Sequence, residues 1–489
     1  SNAAAALASL EQQRASLREQ DERLEATQKT AEQTLAEVRA VLDRWDQAKA
    51  RFGEAMDSFV HRMADAMKDE FEPTPEVVGP PEGVFAHGTD GKQAWKPPQM
   101  VVKCEKVART GMRASIMAHE YQDESDVLDA KVKVLASMIR RARKCAAYTG
   151  AGISTAAGIG DYASKAGVRS SVLPKKLRDG TPFDAADALN AEPTIAHRAL
   201  TSLHVAGLMH EWVQQNHDGL PQKAGMPQSG LNEIHGSWFD PCNPVVPMNG
   251  SLRSDLVARL RETTSSADLV VAMGTSLSGV MADTIVSSVG RRAAEARRAR
   301  EQKTGARLVT RRSIGEDVTV AGEAAETEQG AASAPLPSVV IINAQQTRLD
   351  GLASLRIFAK LDDVLKRLCK ELGLAPARPI AEPPASRRLP KEDVWDALPY
   401  DAEGMPSRDG TVTLDLTRGK QVVLTDGNPP LVLPGSVGVV GPRTKQGHYT
   451  VVLQDGKRRT LGLWYLRDAQ EGKLPRLPFV NAPPASSAA

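Results

Sequence analysis

Apolar positions recur at intervals of seven along the first part of the chain: Leu10, Leu17, Leu24, Ala31, Val38, Trp45, Phe52 and Phe59. From Leu35 a second seam joins through Leu42, Met56 and Met63, interrupted by Lys49. Spacings of three and four over several heptads predict a coiled coil or a long helical hairpin over 1–75. The first half has the thinner seam, because Arg14, Asp21 and Gln28 occupy its second position. Pro and Gly residues then mark 76–125 as a linker. From Asp126 to Arg143 the period is helical, with Val127, Leu128, Val132, Leu135, Met138 and Ile139 on one face and a basic end that suits the helix dipole.

Beyond that helix, short apolar runs of the buried-strand type take over. They are Cys145 to Tyr148, Glu211 to Gln215, Asp268 to Met273 and Val339 to Ile342. The last three each deliver polar or glycine residues at their C-terminal ends: Asn216, Gly274 and Asn343. A doubly wound parallel α/β sheet with its site at one edge accounts for all of them. This domain is expected over 126–374, closed by a helix from Leu355 to Leu374. Basic, then acidic and Ala/Gly/Ser-rich composition makes 291–337 a largely disordered insertion.

A Pro-rich linker follows over 375–395. The pattern then changes to short alternating runs such as VTLDL, QVVLTD and YTVVLQDGK, with Asp455-Gly456 as a hairpin turn. A small SH3-like antiparallel barrel is expected over 396–470, a fold more often used to hold a protein partner than for chemistry. A disordered tail fills 471–489.

Composition narrows the classes. At 489 residues the chain exceeds one ordinary domain. Its 62 basic and 60 acidic residues give no overall electrostatic footprint for nucleic acid. No apolar run reaches the ~20 residues of a membrane span. The N-terminus shows no secretory pattern, and Ser-Asn-Ala in place of Met reads as a cloning scar or a fragment start. The four cysteines, Cys104, Cys145, Cys242 and Cys369, contain no C-x-x-C pair. They predict neither a disulfide framework nor a Cys₄ zinc site, and point to an intracellular, nuclear or cytoplasmic setting.

The candidate chemistry begins at Thr149-Gly150-Ala151-Gly152, after the first strand and before a small-residue segment able to open a helix. A strand, glycine turn and helix start let backbone approach a pyrophosphate. Alone the signal is weak, since Thr155 stands where a dinucleotide fingerprint wants its third glycine. It gains weight from four later motifs: Gln215-Asn216-His217-Asp218-Gly219-Leu220, Glu233-Ile234-His235-Gly236, Gly274-Thr275-Ser276-Leu277 and Ile342-Asn343. With these in order, the chain from Asp126 to Leu374 resembles the sirtuins, the NAD-dependent protein deacylases. The wording YTGAGISTAAGI is closest to their nuclear branch.

The resemblance implies NAD as cofactor and an acyl-lysine protein as substrate. It implies that Gly150, Ala151, Gly152 and Ser154 line the phosphates and ribose, that Ile153, Asp161 and Tyr162 also contact the cofactor, and that 164–187 is a mobile cofactor-binding loop. It further implies that Asn216 and Asp218 hold nicotinamide and a water, that Thr275 and Ser276 bond phosphate or ribose, that Asn343 bonds a ribose hydroxyl, and that Gln215 and Gly274 also contact the cofactor. Loss of nicotinamide leaves an electron-poor ribose for an acyl oxygen to capture, and a base must then activate a ribose hydroxyl. His235 matches the family's base, and an imidazole near pKa ~6.5 suits that task.

Two departures stand out. Ala163 replaces the family's arginine, and the segment after Cys242 lacks the cysteines of the family's structural zinc module. The expected activity is lysine deacylation releasing nicotinamide and O-acyl-ADP-ribose. NAD hydrolysis or mono-ADP-ribosyl transfer is one alternative. A catalytically weak NAD-responsive scaffold is another, dimerising through the N-terminal helix and binding a partner through the C-terminal barrel.

Overall fold

A computed structural model describes residues 80–104, 117–159, 191–247, 250–278, 281–313, 335–379, 393–408 and 410–482. All of them belong to one compact unit, Pro75–Ala489. The heptad seam over 1–75, Asp161, Tyr162 and Ala163 lie outside the described residues.

Six parallel strands form the central sheet: β3 (Cys145–Thr149), β4 (Glu211–Gln214), β5 (Leu231–Glu233), β6 (Leu269–Met273), β7 (Ser338–Ile342) and β8 (Leu355–Ile357). Their spatial order is β5-β4-β3-β6-β7-β8. The chain therefore starts in the middle, runs to one edge, returns and runs to the other. This is the doubly wound order, which opens a crevice beyond the strand ends where the direction reverses, at β3. Strands buried on both faces must be apolar throughout, and β3 and β6 are buried at every position.

The helix Ser125–Arg141 lays Val127, Leu128, Val132, Leu135, Met138 and Ile139 into the core. Helices Ile195–Val205 and Leu361–Leu372 share that core with the sheet, through Leu200, Leu203, Val364, Leu365 and Leu368.

Several expectations change. The proposed linker 76–125 contains ordered structure. Strands β1 (Gln99–Val102) and β2 (Glu120–Gln122) pair antiparallel, and Tyr121 is buried. The amide of Tyr121 donates to Ala344 O at 2.8 Å, and that of Asp123 to Phe358 O at 2.7 Å, which pins this segment to the ends of β7 and β8. Residues 291–313 continue the helix Thr284–Ser313 instead of starting a disordered insertion; 314–334 lie outside the described residues. The closing helix is shorter than expected, because Leu355–Ile357 is the sixth strand.

The C-terminal region is not a closed barrel. Its five antiparallel strands run in the order β14 (Arg458–Leu461), β13 (Tyr449–Leu453), β12 (Val437–Val440), β11 (Gln421–Leu424), β15 (Phe479–Asn481). The edges β14 and β15 do not pair, because the helix Leu463–Gln470 intervenes between them in sequence and carries the chain to the far side. VTLDL pairs instead in a separate two-stranded ladder, β9 (Val394–Leu398) with β10 (Val412–Asp415). Its core includes two residues of the α/β domain, Phe239 and Cys242.

Candidate active site

One row of the sheet's register fixes the site. Glu233 pairs with Gln214, Gln214 with Thr149, Thr149 with Met273, Met273 with Ile342, and Ile342 with Ile357. Parallel strands end on the same side, so the next one or two residues of each strand meet along one edge. Those residues are His235, Gln215 and Asn216, Gly150, Gly274 and Thr275, and Asn343. Five motifs scattered over some two hundred positions thus converge because their strands are in register.

The glycine turn is built differently from expectation. Over 150–159, the described residues directly after β3, no α-helix opens; Ala151–Ile153 and Thr155–Ala157 are short 3₁₀ turns. The amide of Gly150 donates to Met273 O at 3.2 Å, and that of Gly152 to Gly274 O at 2.8 Å. Both donors are spent on joining the β3 and β6 turns. A Cβ on Gly152 would lie 2.7 Å from Gly274 Cα. The glycines therefore serve a backbone crossing inside the protein, beyond any approach to a ligand. Thr194 braces the turn from behind: its hydroxyl donates to Ile153 O at 3.2 Å while capping the helix Ile195–Val205. Neither Thr194 nor its buried capping partner His197 was among the expected site residues, although Thr before an apolar helical run is a legible cap signal.

Asn216, Asp218 and Ser154 form one cluster. The Ser154 hydroxyl donates to Asp218 Oδ2 at 2.6 Å, and Asn216 Nδ2 donates to Ser154 Oγ at 2.9 Å and Gly150 O at 3.2 Å. Asp218 Oδ1 accepts from the Leu220 amide at 3.1 Å. The Asn216 amide and the Asp218 carboxylate are thereby held in fixed orientations, with Asp218 buried and Asn216 half-buried. Ser154 thus joins the glycine turn to this cluster.

Gln215 Nε2 donates to Thr275 Oγ1 at 3.0 Å, and Leu277 N donates to the same oxygen at 3.3 Å. Leu277 adopts φ 49°, a strained value for a leucine at the end of this motif. Ser276 and Asn343 are half-buried, and Asn343 Nδ2 donates to Gln345 O at 3.1 Å.

His235 is half-buried, and its carbonyl accepts from Val246 N at 3.0 Å. Gly236 follows at φ 88°, where a Cβ would strike Pro244 O at 2.2 Å, so the residue after the histidine must be glycine. His217, given no role from sequence, has Nδ1 2.8 Å from Gly236 O and ties the two motif loops together; burial lowers its pKa. Glu233 is buried, and burial pushes its carboxyl up to about 7.

Along the strand ends Ala151, Gly152, Gln215, Asn216, His235, Ser276 and Asn343 are half-buried, while the strands behind them are buried except at Glu211 and Ser338, where β4 and β7 begin. A long polar ligand fits such a strip, with small residues at the turn and amide groups at its far end. Cys242 lies in the apolar core of the C-terminal sheet and donates to Pro478 O at 3.3 Å. Among the described residues no group of three or more His, Cys, Asp or Glu side chains is placed to hold a metal ion.

The Sir2 family model matches residues 150–245. A human protein described as "NAD-dependent protein deacetylase sirtuin-7" is 34% identical over 263 residues, covering 52% of this chain and 63% of that one. A Drosophila melanogaster protein described as "NAD-dependent protein deacetylase Sirt6" is 28% identical over 294 residues, covering 56% of this chain and 86% of that one. The chain thus spans a little under two thirds of the length of the sirtuin-7 relatives. A solved structure described as "Sir2-p53 peptide-NAD+" aligns at 20% identity with a TM-score of 0.34, over 50% of this chain and 98% of that one; at that score it bears on no detail of the site.

Proposed function

We propose that the chain is a sirtuin-type NAD-dependent protein lysine deacylase, releasing nicotinamide and O-acyl-ADP-ribose; the Sir2 family match over 150–245 and the similarity to the sirtuin-7 relatives support that reading. The carrying observation is the register row, which sets His235 and Asn216 each two residues beyond the paired positions Glu233 and Gln214. NAD, when bound, supplies an electrophilic ribose carbon with nicotinamide as its leaving group. Ala151, Gly152, Ser276 and Asn343 offer the strip that would hold its phosphates and riboses, with Asp161 and Tyr162 as further contacts. Asn216, oriented through Ser154 and Gly150, presents an amide to a carboxamide or a water. Asp218 keeps that amide and the Ser154 hydroxyl in place. His235 would remove a proton from a ribose hydroxyl after nicotinamide has left.

Two further readings complete the proposal. The N-terminal heptads would pair two copies of the chain, and the open β14 edge, Arg458 to Leu461, would be the part of the C-terminal sheet left for a protein partner. An intracellular setting is supported by four cysteines that are all buried and unpaired. Among the described residues no helix is long and apolar enough to cross a membrane.

Mass spectrometry of the products formed from NAD, with and without an acyl-lysine peptide, tests the function. O-acyl-ADP-ribose, formed only with peptide, is expected. Plain ADP-ribose without peptide would make the chain an NAD hydrolase, and binding without turnover would make it a scaffold.

A further inference from the structure

The helix Leu463–Gln470 belongs by sequence to the C-terminal sheet, yet it lies against the motif loops of the parallel sheet. Three of its residues reach the loops after β4 and β5, the end of β5 and the turn before it. The Trp464 ring packs edge-on to Phe239, centroids 4.7 Å apart, and a Cβ on Gly219 would come within 3.1 Å of it. The Tyr465 hydroxyl donates to Glu233 Oε2 at 3.3 Å. Asp468 accepts from Gln228 N at 3.3 Å, and the Gln228 side chain donates on to Glu233 at 3.3 Å. The main chain adds a bond from Gly462 N to Phe239 O at 3.1 Å.

These contacts fall where they bear on chemistry. Gly219 directly follows Asp218, and Glu233 ends β5 two residues before His235. The two loops are also joined to each other, since Trp238 N donates to His217 O at 3.0 Å. The glycine turn after β3, by contrast, is braced by Gly274 and Thr194 from within the α/β domain. The two halves of the site therefore have different supports, although Ser154 and Gly150 join them through Asn216 and Asp218.

We propose that Tyr465, backed by Trp464, is a positioning residue for His235, so that the C-terminal domain sets the catalytic half of the site while the nucleotide half stands without it. This rests on the reading of His235 as the base. A side chain reaching across domains to the residue at the root of a loop restricts where that loop can sit, and a catalytic group displaced by about 1 Å loses much of its effect.

Tyr465→Phe keeps the ring and removes only the hydroxyl. In the full chain, hydrogen exchange followed by mass spectrometry should show amides of 231–247 exchanging about three- to tenfold faster, the equivalent of one lost hydrogen bond. Amides of 145–154 should exchange as in the parent. NAD affinity and the KM for NAD should stay within twofold, while kcat with an acyl-lysine peptide falls about three- to tenfold. Exchange in 231–247 and kcat both at parental values would overturn the proposal. So would faster exchange in 145–154 as well, with a lowered melting temperature, which would make the helix a general structural prop. If the parent shows no acyl-lysine turnover, the proposed function fails by itself, and the contrast in exchange between 231–247 and 145–154 alone decides the positioning role.

Discussion

Gly152 and Gly274 cross backbone to backbone. The Gly152 amide donates to Gly274 O at 2.8 Å, and a Cβ on Gly274 would lie 2.7 Å from Ile153 N. Gly274 also sits at φ 60°, in the region that side chains avoid. This crossing ties the turn after β3 to the turn after β6, the two central strands of the sheet, and so shapes the proposed phosphate end of the site.

Gly152→Val should therefore act on two quantities at once. NAD affinity by calorimetry should fall more than tenfold, about 1.4 kcal/mol. The melting temperature should fall as well, because the clash is with protein backbone. Gly274→Ala should reproduce both effects, with about 1–3 kcal/mol of backbone strain added to the contact. A folded Gly152→Val with parental affinity would remove the turn from the binding site.

Lys131 and Asp123 form a fully buried ion pair. Lys131 Nζ lies 2.7 Å from one Asp123 oxygen and donates to Ala86 O at 2.9 Å, while the Phe358 amide also donates to Asp123 at 2.9 Å. Lys131→Met would leave that carboxylate uncompensated in the core. Unfolding by denaturant should show a loss of about 3–5 kcal/mol. Replacing Asp123 by Asn in the same chain should recover part of it. A Lys131→Met variant as stable as the parent would mean the carboxyl is neutral there.

The sequence made four of the six parallel strands legible, because β3, β4, β6 and β7 are apolar runs ending in polar residues. The two edge strands escaped notice for a physical reason. Each is three residues long, and each has a buried polar residue at its centre. Asn232 Nδ2 donates to Leu256 O at 3.0 Å, and Arg356 pairs with Asp350 at 2.8 Å, so each polar side chain finds a partner outside its own strand. The segment before Asp126 looked like a linker because its order comes from a few backbone bonds to β7 and β8, not from a periodic apolar face. The site itself was legible as motifs. What the motifs could not show is that Ser154 joins Asn216 and Asp218, or that Tyr465, 232 positions from Glu233, reaches its carboxylate.

Glu233 gives a pH signature. Burial raises its pKa from 4.5 to about 7 in the folded chain. Between those values the folded form holds a proton that the unfolded form has lost, so this contribution to stability is full below pH 4.5 and disappears as pH rises through about 7. Glu233→Gln removes the titration. The variant should gain on the parent between pH 5 and pH 8, by on the order of 3 kcal/mol. Melting temperatures of both proteins at the two pH values measure the gap. A gap that does not change with pH would show that Glu233 titrates as an ordinary carboxyl.

His235 and Asn216 should separate the two stages of the proposed reaction. They sit at equivalent positions past adjacent paired strands, but Asn216 is bonded into the Ser154–Asp218 cluster and His235 lies on the loop beyond it. His235→Ala removes a proton acceptor needed only after nicotinamide has left. NAD affinity should stay within a few-fold, while turnover on an acyl-lysine peptide drops by about 10²–10⁴, the usual contribution of a general base. Asn216→Ala removes the group that orients the leaving carboxamide and leaves Ser154 held by Asp218 alone, so nicotinamide release should slow from the first turnover. Binding by calorimetry and a rapid-quench measurement of nicotinamide on both variants read the difference. A first-turnover burst of nicotinamide kept in His235→Ala and lost in Asn216→Ala is the expected pattern. If His235→Ala turns over at the parental rate, the base lies elsewhere. If parent and variants all bind NAD without releasing nicotinamide, Ala163→Arg becomes the decisive variant, because restoring the planar cation that the sirtuin resemblance expects at that position should start turnover if its loss alone silenced the chain.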